Sequence, residues 1–292
     1  MNLEEIQRYI DKIINEQNNQ GIPDFEGYSP FEMYQLLNFT FGSNSPIQLQ
    51  KLCDNDYQKI PFLNQIKYLI DLIAKKGEMK LTSKGFLPTK IVSEIYSQGF
   101  LKEEYIERGI SKLYKETDSI TINLTRIIIE IAGLVKKRNK KLSLTKKGEK
   151  MVSDNDKLFR EIFKTYTTKF NWTYYDGYGE NQIGQLGFGF SLILLNRYGT
   201  KKRIDKFYAD KYFIAFPDLI ENEFSSSTVT GYKSSSNCYS LRTFDRFLDY
   251  FGLIKIEKVK KPGCIDKYIT KTEIMDKLIK CLPIELNLED SY

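Results

Sequence analysis

Residues 238–281, CYSLRTFDRFLDYFGLIKIEKVKKPGCIDKYITKTEIMDKLIKC, constrain the fold more than any other stretch. Leu241, Phe244, Leu248 and Phe251 recur at spacings of three and four, with Phe247 beside them, which predicts a helix with one buried face. The opposite face then carries Arg242, Asp245, Arg246, Asp249 and Tyr250. Gly252 stands where a helix end needs positive φ. IKIEKV alternates apolar and polar side chains as a half-buried strand does. Pro262 and Gly263 turn the chain, DKYIT returns, and Thr270 with Glu273 fits a capping box for a last helix. A helix followed by a basic two-stranded ribbon is the second half of a winged helix.

The same order recurs upstream in TINLTRIIIEIAGLVKKRNKKLSLTKKGEK, residues 121–150. A helix again ends in Gly-Leu, here Gly133 and Leu134, and a basic ribbon follows. Superposing the two Gly-Leu pairs places Ile122 on Leu241, Ile128 on Phe247, Ile129 on Leu248 and Ala132 on Phe251. Residues 61–88 offer a fainter third copy, with Phe62, Ile66, Leu69, Ile70 and Ile73 as its apolar stripe and a short ribbon ending at Leu81 and Thr82. Self-similarity at long spacing points to repeated units.

The expected architecture is mainly α with small β-ribbons, an α+β chain of tandem winged-helix-like domains. Residues 1–60 form an N-terminal helical region, 61–170 a first winged-helix-like domain and 171–292 a second. Within these, 1–19 is a helix ended by Gly21 and Pro23, and Ser29 caps a short helix opened by Pro30. LPTKIVSEIY, LKEEYIERGISKLYKE and the segment from 121 are three successive helices. Residues 153–170 form a connecting helix capped by Ser153 or Asp154. Helices at 183–198 and 202–215 follow, the latter opened by Lys201, Lys202, Arg203 and Lys206, and then a flexible serine-rich loop, SSSTVTGYKSSSNC. Trp172, Tyr174, Tyr175 and Tyr178 lie in an irregular aromatic stretch that packs between domains, lines a pocket or stacks on bases.

At 292 residues, with 41% hydrophobic and 14% aromatic side chains, the chain has ample material for a core, as one large domain or two to three small ones. Its longest apolar run, FGFSLILL, is far shorter than the roughly 18 residues a membrane span needs. MNLEEIQRYIDKII does not read as a signal peptide, so the expected compartment is the cytoplasm and no membrane partner is expected. Cys53, Cys238, Cys264 and Cys281 show no metal-site spacing and read as reduced thiols. There is no histidine, which removes Ser-His-Asp, Cys-His and zinc-protease machinery. Carboxylate chemistry stays open, with Asp176 and Glu180 the first pair to inspect. Gly184, Gly187 and Gly189 have the wrong order of gaps for a dinucleotide loop. No catalytic residue, metal site or cofactor is expected.

SPFEMYQLL, MKLTSKGFLP and AGLVKKRNKKLSLTKKGEK together resemble a set of uncharacterised bacterial proteins with SPxEMxxLL-like and LTxKG-like segments. Some of these are joined to plasmid-associated or SEC-C modules. The resemblance covers roughly residues 25–170; it implies a winged-helix-like repeat and carries no catalytic residue.

Charge supplies the functional hint. The net charge is +6, and basic residues crowd the ribbons: Lys136, Lys137, Arg138, Lys140 and Lys141 in the first, Lys255, Lys258, Lys260 and Lys261 in the second. In nucleic-acid-binding winged helices the ribbon touches phosphates and the third helix enters the major groove. The expected contacts to double-stranded DNA are therefore Lys137, Arg138, Lys140, Lys141, Lys258, Lys260 and Lys261 on the ribbons, with Arg126, Arg242 and Arg246 on the helices. Asp245 and Asp249 oppose the last two, and a lysine-rich hairpin is often only a solvated one. The alternative is a protein-interaction or scaffold module without catalysis, meeting a partner or itself near residues 170–190.

Overall fold

A computed structural model of the chain describes residues 2–221, 228–262 and 264–282. It is mainly helical with small antiparallel sheets, the α+β class expected from sequence. The chain opens with α1 (Leu3–Asn19), α2 (Pro30–Asn38), β1 (Ile47–Leu49) and α3 (Asp54–Tyr57). Then come α4 (Pro61–Lys76), β2 (Glu78–Lys80), α5 (Thr89–Ser97), α6 (Glu104–Glu107), α7 (Ile120–Ile131), β3 (Val135–Arg138) and β4 (Lys141–Leu144). After α8 (Lys146–Met151) and α9 (Asn155–Lys164) follow α10 (Phe188–Tyr198), β5 (Arg203–Ile204), α11 (Asp205–Ala215), α12 (Asp218–Glu221) and α13 (Thr228–Tyr239). The chain then runs through β6 (Ile254–Lys261), β7 (Cys264–Lys271), α14 (Glu273–Leu278) and β8 (Ile279–Cys281). Residues 165–169 and 240–248 are wound as π-helix.

Two compact units result, and they are not the expected consecutive segments. The central unit is 51–179 with 246–253; the flanking unit is 1–50, 180–245 and 254–292. Local contacts explain why the expected division after residue 60 fails. The Tyr57 hydroxyl donates to Asp156 at 2.6 Å, and its ring lies 5.8 Å from that of Phe159, which ties α3 to the central unit. β1 instead pairs antiparallel with β8, holding Ile47–Leu49 in the flanking unit. Residues 246–253 join the central unit because Phe247 and Phe251 enter its aromatic core. Phe251 packs 5.7 Å from Phe62 and 4.9 Å from Phe163, and Phe247 lies 5.0 Å from Trp172.

In the central unit, β2, β4 and β3 form a three-stranded antiparallel sheet in that order. Elements therefore run helix (α4), strand (β2), helices (α5, α6), helix (α7), strand, strand. The order recurs along the chain in α10, β5, α11 to α13, the 240–248 helix, β6 and β7, with the sheet order β5-β7-β6, the last residues of that helix, 246–248, counting with the central unit. Residues 61–88 are thus not a third copy: β2 has no hairpin of its own and closes the sheet of the 121–150 copy.

The two Gly-Leu stops fold alike. Gly133 and Gly252 have φ of 68° and 66°. Leu134 N–H donates to Ile129 O at 3.0 Å, and Leu253 N–H to Leu248 O at 2.8 Å, the six-to-one bond of a Schellman cap. Both leucines are fully buried. Of the superposed apolar pairs, only Leu241 is half-buried; the other members are in the core.

Several local expectations hold. Ser29 and Glu32 form a capping box on α2, and Asp154 caps α9. Others are corrected. The last helix is capped by Thr272, while Thr270 lies in β7. The helix expected over 101–116 contracts to one turn, followed by Gly109 at φ 69°. Lys201–Ile204 precede α11, and Arg203 belongs to β5. From Thr228 the serine-rich stretch is the helix α13, with Ser235, Cys238 and Tyr239 buried. Burial of one face outweighs a weak helix propensity there. Residues 225–227 and Gly263 lie outside the described residues.

Candidate nucleic-acid interface

Strand register decides which basic side chains share a surface. In the central sheet, Lys136 stands opposite Ser143 and Arg138 opposite Lys141, while Glu78 and Lys80 of β2 face Ser143 and Lys141 from the other side. Side chains alternate across a sheet. One face therefore carries Lys80, Lys136, Arg138 and Lys141 against the single carboxylate of Glu78. The other face carries Val135, Met79 and Leu142, all buried in the core.

On the outer face Lys141 bonds Glu78 at 2.6 Å, an exposed pair. Its hydrogen bond holds the Glu78 carboxyl below its ordinary value. Lys80, Lys136 and Arg138 make no ion pair among the described residues, nor does Lys140 at the turn. Beside this face an open groove of about 510 Å³ is lined by Gly77, Glu78, Lys136, Arg138, Lys141 and Glu149, among others. Lys137 points the other way; its Nζ donates to Gly85 O at 3.2 Å.

The flanking sheet has the same strand order and a different charge balance. Lys261 pairs with Asp266, Lys267 with Asp245, and Lys202 with Glu257 at 2.6 Å. Lys202 also lies 4.9 Å from the centre of the Tyr268 ring. Lys258 stands opposite Lys267 and Lys260 opposite Ile265. Both Lys258 and Lys260 are exposed.

The three helical arginines are not surface readers. Arg242 is 1% exposed; its guanidinium donates to Asn181 O at 2.9 Å, to Ile183 O at 3.2 Å and to the Asn181 side chain. The outward assignment assumed α-helical winding, whereas 240–248 is wound i→i+5 and none of its residues is exposed. Arg246 donates to Tyr174 O at 2.7 Å and Tyr175 O at 2.6 Å, clamping the aromatic loop. Arg126 is 8% exposed, bonding Glu116 at 2.7 Å and Glu130 at 2.6 Å with the Phe86 ring 5.7 Å away. Glu116, wholly buried, also accepts from Leu87 N–H and the Asn123 amide, each at 2.6 Å. α7 is buried on nearly every side: its isoleucines enter the core, and its polar positions Asn123 and Arg126 are taken up by the buried carboxylate of Glu116.

The remaining expectations are placed as follows. Trp172 is buried and donates to Tyr166 O at 2.8 Å, while Tyr175 is exposed. Ile183, Phe188 and Phe190 are buried too, so residues 170–190 present little apolar surface. Asp176 accepts from Tyr178 N–H at 2.9 Å in a local turn. Among the described residues no three Cys, Asp or Glu side chains are grouped to hold a metal. Burial pushes the Cys281 thiol up to about 11. Among the described residues no helix is long and apolar enough to cross a membrane.

Lys80 is the site residue the sequence reading missed. Its signal was the alternation of Glu78, Met79, Lys80 and Leu81, a strand pattern that needed a partner to give it a face.

Residues 58–158 match the family model of the Y4jL N-terminal domain. This span covers α4 through α8 and the start of α9 in the central unit, including the whole basic face. No curated protein and no solved structure matches the chain.

Proposed function

We propose that this chain is a non-catalytic, cytoplasmic nucleic-acid-binding protein built from two winged-helix-like units. It contacts the phosphate backbone of double-stranded DNA through the ribbon of the central unit. The observation carrying this reading is the one-sided face of Lys80, Lys136, Arg138 and Lys141, with Lys140 at its tip, whose strands carry one carboxylate, Glu78, with Glu149 at the edge of the adjoining groove. The element order and the sheet order, twice repeated, support the winged-helix reading. The same geometry argues against base readout, because the helices that would enter a groove, α7 and 240–248, are interior. Binding should therefore be insensitive to sequence and steeply dependent on salt, with about 0.9 of log–log slope for each phosphate neutralised.

The test is retention of labelled duplexes of unrelated sequence, measured by fluorescence anisotropy over a salt series. Wild type should bind them alike at low salt. The Lys136→Glu, Arg138→Glu, Lys141→Glu variant should lose binding with its fold intact by circular dichroism. No binding at low salt, or binding that survives the charge reversal, sinks the proposal. A second reading, a protein-interaction module, draws on another surface: α1 and α2 of the flanking unit leave large apolar side chains exposed.

A further inference from the structure

α1 has a complete capping box, Asn2 with Glu5, and yet buries none of its residues. Leu3, Ile6, Ile10 and Ile13 fall three and four apart, the a and d positions of two heptads, and Ile14 lies beside them at e. Of these only Ile13 is half-buried; Leu3 is 86% exposed. A helix of 17 residues in water is marginal without an apolar face packed on something. α2, which touches α1, buries Met33 and Leu36 and turns Phe31, Tyr34 and Leu37 outward. Phe39 continues this surface, its ring 6.3 Å from that of Tyr34.

We infer that α1 and α2 form an interface between two copies of this chain. Two observations select a second copy as the occupant. The first is charge. Glu4, Glu5, Arg8, Asp11 and Lys12 all fall at b, c and f, and the flanking e and g positions hold Asn2, Gln7, Tyr9 and Ile14, with Glu16 the one charge. Paired with itself in either direction, the seam brings no like charges together, whereas a charged partner helix would find nothing to complement at e and g. The second is area. The outward apolar side chains of the two helices expose roughly 1,000 Å², beyond the few hundred Å² usual on a monomer and close to the ~800 Å² per partner of a standard interface. The seam alone, at two heptads, is short, and the aromatic surface of α2 supplies the remainder. This inference is independent of the nucleic-acid reading.

Sedimentation velocity on the full chain at tens of micromolar tests it. The expected species has twice the chain mass, with little change between low and high salt. Ile6→Lys with Ile10→Lys should raise the dissociation constant by about a hundredfold or more, because two central side chains of the seam become charged. Both positions are exposed, so the circular dichroism spectrum should be kept; Tyr34→Lys provides the same test from α2 if it is not. Glu5→Gln with Lys12→Gln, on the outer positions, should leave the dimer intact. A wild-type chain that stays monomeric at these concentrations overturns the inference, as does a dimer undiminished in both the α1 and the α2 variants.

Discussion

The sheets β2-β4-β3 and β5-β7-β6 share strand order, a preceding Gly-Leu cap and a following helix capped by threonine, Thr145 in one and Thr272 in the other. They differ in what lies between the apolar positions. The central hairpin, Val135 to Leu144, contains no acid, so its cations accumulate on one face. The flanking hairpin contains Glu257 and Asp266, and each is taken by a lysine. Shape is thus specified by glycines, threonines and buried aliphatics, while charge varies independently on top of it. Two copies of one architecture offer different surfaces, and a functional reading from topology alone would treat them as equal.

The largest effect that separates the units concerns their interior arginines. Arg126→Ala would leave Glu116 buried without its cation, at a cost of about 3–5 kcal/mol. Arg242 donates to the Asn181 and Ile183 carbonyls and to the Asn181 side chain, neutral acceptors that cost less to leave unpaired than a buried carboxylate. Urea denaturation should rank Arg126→Ala well below Arg242→Ala in stability; equal losses would mean that the two helices are held in the same way.

Gly148 gives the next effect. A β-carbon there would lie 2.1 Å from the carbonyl oxygen of Leu134, because the first turn of α8 runs against the start of β3. Thr145 sets that approach, donating to Gly133 O at 2.7 Å while accepting from Gly148 N–H. Gly148→Ala should cost about 1–3 kcal/mol. The position one turn into α14 is Met275, which tolerates a full side chain, so the flanking sheet meets its following helix differently. A neutral Gly148→Ala in thermal melts would remove this distinction.

A smaller, pH-dependent effect sits in the flanking unit. Glu26 is nearly buried and accepts from Lys211 at 2.5 Å, Tyr198 at 2.5 Å and Arg197 at 2.8 Å. Burial alone would raise its pKa; the three donors outweigh it and hold the carboxyl below its ordinary 4.5. A depressed folded-state pKa contributes stability that is present above the unfolded value and lost as pH falls through the folded one. The stability gap between wild type and Glu26→Gln should therefore be full at neutral pH and shrink below about pH 4.5. A gap constant down to pH 3 would show that the carboxylate charge is not what the three donors read.

Much of this was legible in the residues. Helical spacing, the Gly-Leu stops and ribbon alternation located both copies, because each depends on local backbone chemistry. What sequence could not supply was pairing between distant segments. β2 carries Lys80 to the basic face from more than fifty residues before the hairpin, and nothing local to EMK says which strand it joins. Arg242 and Arg246 were misplaced because 3.6-residue periodicity assigns faces only in an α-helix and 240–248 is wound otherwise, and Arg126 because its partner, the buried Glu116, lies ten residues upstream of it. The serine-rich α13 and the split of the chain after residue 50 likewise depend on packing that the local sequence does not encode.

The smallest effect tests the comparison most directly. If the flanking sheet is the weaker one partly because Lys202 and Lys261 are paired with acids, removing those acids should bring it closer to the central one. Asp266→Asn removes the carboxylate paired with Lys261, and Glu257→Gln the one paired with Lys202, without altering side-chain size. Each of these pairs keeps one well-exposed partner, and surface pairs contribute ~0–1 kcal/mol, so the fold should be kept. Duplex affinity at low salt should then rise a few-fold, and the salt slope should steepen by up to about 0.9 for each lysine that reaches a phosphate. The same double substitution in a chain carrying the Lys136→Glu, Arg138→Glu, Lys141→Glu reversal isolates the flanking ribbon. Binding recovered there would make pairing the sole difference between the two sheets; none recovered would mean that the central face binds through its groove as well as its charge.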